Sequence, residues 1–189
     1  MPEPTLMSML QKRARSAAAL DTLLSDVCRD LALDESESAS PVCLGYALLR
    51  VGARPEEVAR LLSWREFEGL SAALLKASGY SVRENVVLTK PRAQLDVVAT
   101  GDSMILSVDC KHYGRENSPS SLTRFALDQL RRSELFRKKF DDRRPIASMI
   151  LSMSQPEGSF VEGVAVVPIR TLRSFLATVE SYIGLLELR

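Results

Sequence analysis

Apolar positions Leu6, Leu10, Ala17, Leu20, Leu24, Val27 and Leu31, with Arg13 between them, step along the chain by alternating fours and threes. Such a seam predicts a long amphipathic helix, lying on its own domain or meeting a second copy of the chain. The segment Asp34 to Pro41 breaks the pattern with acids, serines and a proline, and reads as a loop. A second helix is expected over Val42 to Val51, stopped by Gly52. Pro55 opens a short third helix, with Glu56 and Glu57 in the first turn where they favour the helix dipole. Two short helices around a glycine turn form either an antiparallel pair or a DNA-reading helix-turn-helix.

Ser63 gives the clearest local signal. Glu66 follows three residues later, so the serine can cap a helix while the glutamate reaches back, and Leu62 and Phe67 stand where a hydrophobic staple needs them. A helix is therefore predicted from Trp64 to about Ser78, ended by Gly79. Residues 1–62 divide here from residues 63–189. Beyond Gly79 the texture changes to β-formers: Tyr80 to Thr89, Gln94 to Thr100 and Ser103 to Tyr113 read as strands, the last two joined by a Gly101-Asp102 hairpin loop. Ser121 to Phe140 returns to helical periodicity. Ile146 to Met153 and Val164 to Ile169 are apolar runs of strand length, and Thr171 is placed to cap a final helix carrying Leu172, Phe175, Leu176 and Val179. The order from residue 64 is α-β-β-β-α-β-β-α, an α/β fold with an antiparallel meander and a crossover helix.

Composition narrows the class. In 189 residues, 46% are hydrophobic and 26% charged, which excludes disordered and fibrous chains. No run of apolar residues is long enough for a transmembrane helix, and the N-terminus lacks the layout of a secretory signal. Cys28, Cys43 and Cys110 are far apart and form no CxxC pair, which suits the reducing cytoplasm. With one histidine in the chain, a Cys2His2 zinc site is discounted. Basic and acidic residues nearly cancel, 25 against 24, so charge must be read locally. From Ser121 to Pro145, eight basic residues (including Arg124, Arg131, Arg132, Lys138 and Lys139) stand against four acidic ones, a helix suited to gripping a polyanion. Residues 1–40 are net acidic.

The stretch that carries chemistry is Leu95-Asp96 and, thirteen residues after Asp96, Asp109-Cys110-Lys111. If Gly101 and Asp102 form the hairpin loop, Asp96 lies opposite Ser107. Strand alternation then sets Ser107, Asp109 and Lys111 on the same face, with Asp96 and Asp109 as diagonal neighbours. Two converging carboxylates make an oxygen-rich site suited to Mg2+, with the Lys111 ammonium beside it. Met104, Leu106, Val108 and Cys110 fall on the opposite face and should be core. A paired Asp and Lys on a solvated sheet face would be the bland alternative.

An Asp near the end of one strand, a turn, and Asp-x-Lys in the next, between two helices, resembles the PD-(D/E)xK nuclease superfamily. The nearest likeness is to Mrr-type restriction endonucleases and archaeal Holliday-junction resolvases. It covers roughly residues 64–169 and rests on Phe67-Glu68, Ser78-Gly79-Tyr80, Leu95-Asp96, Val108-Asp109-Cys110-Lys111-His112-Tyr113 and Gln129. Leu95 stands in place of the motif's proline, and Ser133 where a tyrosine often follows the helix glutamine.

The resemblance implies a restriction-endonuclease-like αβββαβ core behind an N-terminal all-helical extension. It implies that Asp96, Asp109 and the Cys110 backbone carbonyl ligate Mg2+ or Mn2+, with Glu68 completing the acidic cluster. Lys111 would hold the attacking water or stabilise developing negative charge, and Gln129 would orient the water or the lysine. His112, expected on the face opposite Lys111, would contact phosphate. The expectation is a Mg2+-dependent DNA endonuclease in repair, recombination or restriction, acting as a homodimer because two strands need two cuts. A DNA-binding module that no longer cuts is the alternative.

Overall fold

Thr5, Ser16, Ser40 and Ser63 each stand just before a helix and accept a backbone N–H three residues on, at 3.1, 3.1, 3.2 and 3.3 Å. Such caps satisfy donors that the first helical turn leaves unpaired. They set the starts of α1 (Leu6–Arg13), α2 (Ala17–Asp30), α3 (Pro41–Arg50) and α5 (Trp64–Ala77), while Pro55 opens α4 (Pro55–Ala59). The computed structural model describes residues 4–112, 117–140, 142–155 and 157–186.

The single long helix expected at the N-terminus is two helices. Ala14 adopts an extended backbone and Ser16 caps a new start, so the chain turns between α1 and α2 although the apolar spacing continues across the break. The loop expected at Asp34 to Pro41 contains a 3-10 turn, Glu35–Glu37. The capping box of α5 is present in both halves, with Glu66 accepting the Ser63 N–H at 2.5 Å, and the staple residues Leu62 and Phe67 are both buried. Gly79 ends α5 at φ +92°, a conformation that disfavours a side chain.

Among the described residues, six strands form one sheet. Strands β1 (Ser81–Thr89), β2 (Arg92–Thr100) and β3 (Ile105–Lys111) are an antiparallel meander. Helix α6 (Pro119–Phe140) crosses over to β4 (Ile146–Ser152), which pairs parallel with β3. The short edge strand β5 (Ser159–Val161) lies between the two expected strands in sequence. It pairs antiparallel with β6 (Val164–Pro168), itself parallel to β4. Helix α7 (Leu172–Thr178) follows, but Thr171 does not cap it: its hydroxyl donates to the Pro168 carbonyl at 3.1 Å.

The sheet is covered on both faces. One buried cluster joins Leu10, Val27 and Leu48 of the N-terminal helices to Phe67 and Leu74 of α5 and to Val97, Val108 and Leu151 of the sheet. On the other face α6 packs Phe136 against Val98 and Ile105, and Ala126 against Ile150 and Val166. Cys28 and Cys43 meet inside the helical layer as free thiols, Sγ to Sγ 3.6 Å, and burial pushes the Cys43 thiol up to about 12. No helix among the described residues is long and apolar enough to cross a membrane.

Candidate active site

The β2–β3 connection is longer than a two-residue hairpin. Thr100 pairs with Ile105, and Gly101 donates its N–H to the Met104 carbonyl at 2.9 Å. The register therefore shifts by two residues from the expected one, and the ladder ends at Val97 opposite Val108. Continued one step past its last pair, this register sets Asp96 opposite Asp109, where the expected register set it opposite Ser107. A shift of two keeps every side chain on its face, so the carboxylates still converge. Past the end of the ladder the Asp96 side chain takes over from the backbone, accepting the Cys110 N–H on Oδ2 at 2.9 Å. Asp96 is buried, and its carboxyl is held above the usual range, chiefly by burial and next by the charge of Asp109, against the lowering effect of that N–H.

Asp109 is 2% exposed and both its oxygens face cations. Lys111 Nζ lies 2.7 Å from Oδ2, and Arg132 Nη1 donates to Oδ1 at 2.7 Å. The Lys111 ammonium also sits over the Phe125 ring, 4.4 Å from its centroid. Arg132 arrives from α6, whose position is set by buried polar contacts on the same helical face. Gln129 Nε2 donates to the Ser107 carbonyl and hydroxyl at 2.8 and 2.9 Å, and the Ser133 and Ser148 hydroxyls bond at 2.6 Å. Gln129, Ser133 and Ser148 are fully buried. Gln129 thus ties α6 to β3, and its own carbonyl oxygen has no hydrogen-bond partner among the described residues.

Glu68 lies on the α5 side of the strands, 1% exposed, with Oε1 buried and lacking a hydrogen-bond partner among the described residues. Burial, reinforced by the charges of Asp96 and Glu84, pushes its carboxyl up to about 7. His112 also falls on this side, opposite Lys111 as expected. Its ring is 5.6 Å from that of Phe67 and bonds the Ala59 backbone, while burial lowers its pKa. Tyr113, the end of the predicted strand, lies outside the described residues, as does Asp141 of the charge count. The Cys110 thiol points into the core and is 3% exposed.

Asp96, Asp109, Cys110, Lys111, His112, Arg132, Gln94 and Trp64 line one cavity of about 490 Å3. A cavity of about 520 Å3 beside β5, lined by Phe160, Phe175 and Tyr182 among others, includes none of the candidate residues. Of the expected DNA-contacting residues, Arg124, Arg131, Lys138 and Lys139 are exposed along α6. Arg124 lies against Phe125, Lys139 against Phe140, and Lys138 pairs with Glu134 at 2.7 Å. Arg132 stands apart from them, inside the cavity.

A restriction endonuclease family, that of the Mrr catalytic domain, matches residues 59–134. The match spans α5, the three-stranded meander and α6 as far as Glu134, the elements that surround Asp96, Asp109 and Lys111. An uncharacterized protein of Archaeoglobus fulgidus is 30% identical over 126 residues, which is 65% of this chain and 96% of that protein. The chain belongs to the PD-(D/E)xK restriction-endonuclease-like superfamily. The crystal structure of protein VC1899 from Vibrio cholerae is similar at 14% identity and a TM-score of 0.41, the alignment covering 98% of this chain and 58% of that one.

PD-(D/E)xK nucleases typically use divalent metal ions, and the donors present suit one. Asp96, Asp109, Glu68 and the Cys110 carbonyl offer oxygen alone, the choice of hard cations, and Glu68 Oε1 is buried with no hydrogen-bond partner among the described residues. Among the described residues no three such side chains are gathered into a ready cage, and the charge of Asp109 is met by Lys111 and Arg132. Two cavity residues, Trp64 and Gln94, are not marked as site residues by the sequence, and Arg132 is marked only as a DNA contact. Nothing local distinguishes Arg132 from Arg131 on the basic helix face. The sequence marks Trp64 only as the first residue of a capped helix.

Proposed function

We propose that this chain is a metal-dependent deoxyribonuclease, an endonuclease hydrolysing DNA phosphodiester bonds in repair, recombination or restriction. Residues 63–189 carry the chemistry and residues 1–62 form a helical module packed against them. The observation that supports this most strongly is that Asp96, Asp109 and Lys111 line one cavity just past the end of the β2–β3 ladder, with Lys111 2.7 Å from Asp109.

Asp96, Asp109, Glu68 and the Cys110 carbonyl would hold Mg2+ or Mn2+, which when bound acidifies a water and neutralises phosphate charge. Lys111, its ammonium fixed between Asp109 and the Phe125 face, orients the attacking water or meets charge developing on the phosphate. Gln129 acts as a positioning residue, tying α6 to β3 so that Arg132 reaches the cavity. Arg124, Arg131, Lys138 and Lys139 grip the DNA backbone, with His112 and Arg132 nearer the cut; such contacts hold without reading sequence. A homodimer in the cytoplasm would place one site on each strand.

The test is cleavage of labelled linear, nicked, flap and four-way-junction DNA with and without Mg2+ or Mn2+, beside Asp109→Asn and Lys111→Ala. Cutting that needs the metal and is lost by at least about 100-fold in both variants, with binding retained, is the expected result. The ion pairing of both Asp109 oxygens favours a second reading, a DNA-binding module that does not cut. DNA binding with no cleavage of any substrate under either metal would establish that reading in place of the first.

A further inference from the structure

Trp64 is the only tryptophan of the chain and is 45% exposed. The other large apolar side chains of α5 (Phe67, Leu70, Leu74 and Leu75) are fully buried, and Trp64 belongs to none of the buried clusters. Trp64 lines the same cavity as Asp96, Asp109 and Lys111. The capping box fixes the backbone at this first helical residue, so the indole projects from a rigid support. Exposed Arg65 follows it in the chain. An indole that is nearly half exposed beside a charged cavity keeps apolar surface free for a flat partner.

Resting on the nuclease reading above, we propose that Trp64 is a stacking platform for an unpaired base beside the scissile phosphate. The site accordingly prefers DNA that is single-stranded or unstacked at the cut over intact duplex. In a continuous duplex each base has both faces covered by its neighbours and shows only its edges, so an aromatic face can engage a base only where stacking is interrupted. Stacking of this kind is tolerant of sequence, because every base has a π-face. A cavity of about 490 Å3 falls in the range of small-ligand sites and is large enough to receive one displaced nucleotide.

The experiment uses the full chain carrying Asp109→Asn, to prevent cutting, and reads two signals at once. One is the anisotropy of end-labelled oligonucleotides as a single strand, a blunt duplex and a duplex with a flap. The other is tryptophan emission, which in this chain comes from Trp64 alone. The strand and the flap should quench the emission and the blunt duplex should not. Adding Trp64→Ala should weaken binding of strand and flap about 10-fold and leave duplex binding unchanged. Trp64→Phe should retain most of the affinity. Binding with unaltered emission and no effect of Trp64→Ala overturns the proposal while the nuclease reading stands. Equal quenching by blunt duplex overturns the preference for unpaired bases. Absence of binding to all three DNAs overturns the nuclease reading itself, and the proposal with it.

Discussion

Asp109 illustrates what a buried charge demands of its neighbours. A carboxylate that is 2% exposed must be paired, and here Arg132 and Lys111 divide its two oxygens at 2.7 Å each. A divalent cation binding at Asp109 competes with these two for the same atoms, so Arg132 acts as a resident counter-ion to the metal. Arg132→Met should therefore do two opposite things. Without metal it should destabilise the chain by about 1–2 kcal/mol, less than for a fully buried pair because Lys111 remains and the Arg132 side chain is 25% exposed. With Mn2+ or Ca2+ it should raise the affinity several-fold, as measured by calorimetry. A variant that melts like the parent in chelator and binds the ion no better would show that the pair does not compete. The acids and the lysine were legible in the sequence because strand alternation places residues two apart on one face. The arginine was not, because its partner is 23 residues away and only the packing of α6 on the sheet joins them.

At the scale of elements, the signals read correctly were those whose physics is local. Ser63 and Glu66 specify the start of α5 between them, and both hydrogen bonds are present. Ser63→Ala should cost about 1 kcal/mol in thermal or denaturant unfolding. Glu66→Gln, which keeps a side-chain acceptor at the same place, should cost less. A Ser63→Ala chain as stable as the parent would mean that the staple of Leu62 and Phe67 suffices. Errors arose where a local pattern admits more than one geometry. Gly101-Asp102 resembles a two-residue turn, but the loop runs to Met104, and Arg144 from the far end of the α6–β4 connection bonds the Gly101 carbonyl at 2.9 Å. Heptad spacing from Leu6 to Leu31 is equally consistent with one helix or two, because both segments bury their apolar residues in the same layer. Ser16 decides between them by capping a second start. At three residues, β5 is too short to show any periodicity.

For the whole molecule, the continuity of the core matters most. Leu48 of α3 is fully buried in the same cluster as Val97 and Val108 of the sheet, so the N-terminal helices and the sheet share their apolar interior. Leu48→Ala should destabilise the chain by about 2–5 kcal/mol and lower a single cooperative transition followed by both circular dichroism and Trp64 emission. Two separate transitions, with only the first displaced, would show instead that residues 1–62 unfold by themselves. The same continuity puts α5 in the middle, between a helical layer and a sheet. Eight of its fourteen residues are buried, from Phe67 to Leu75, and its Gly69 lies against Val42 of α3. In a saturation scan α5 should thus appear as an unbroken band of intolerance, of the kind that on a surface helix marks a binding face. Here most of that band reflects crowding alone, so sensitivity to substitution will overstate how much of α5 takes part in function.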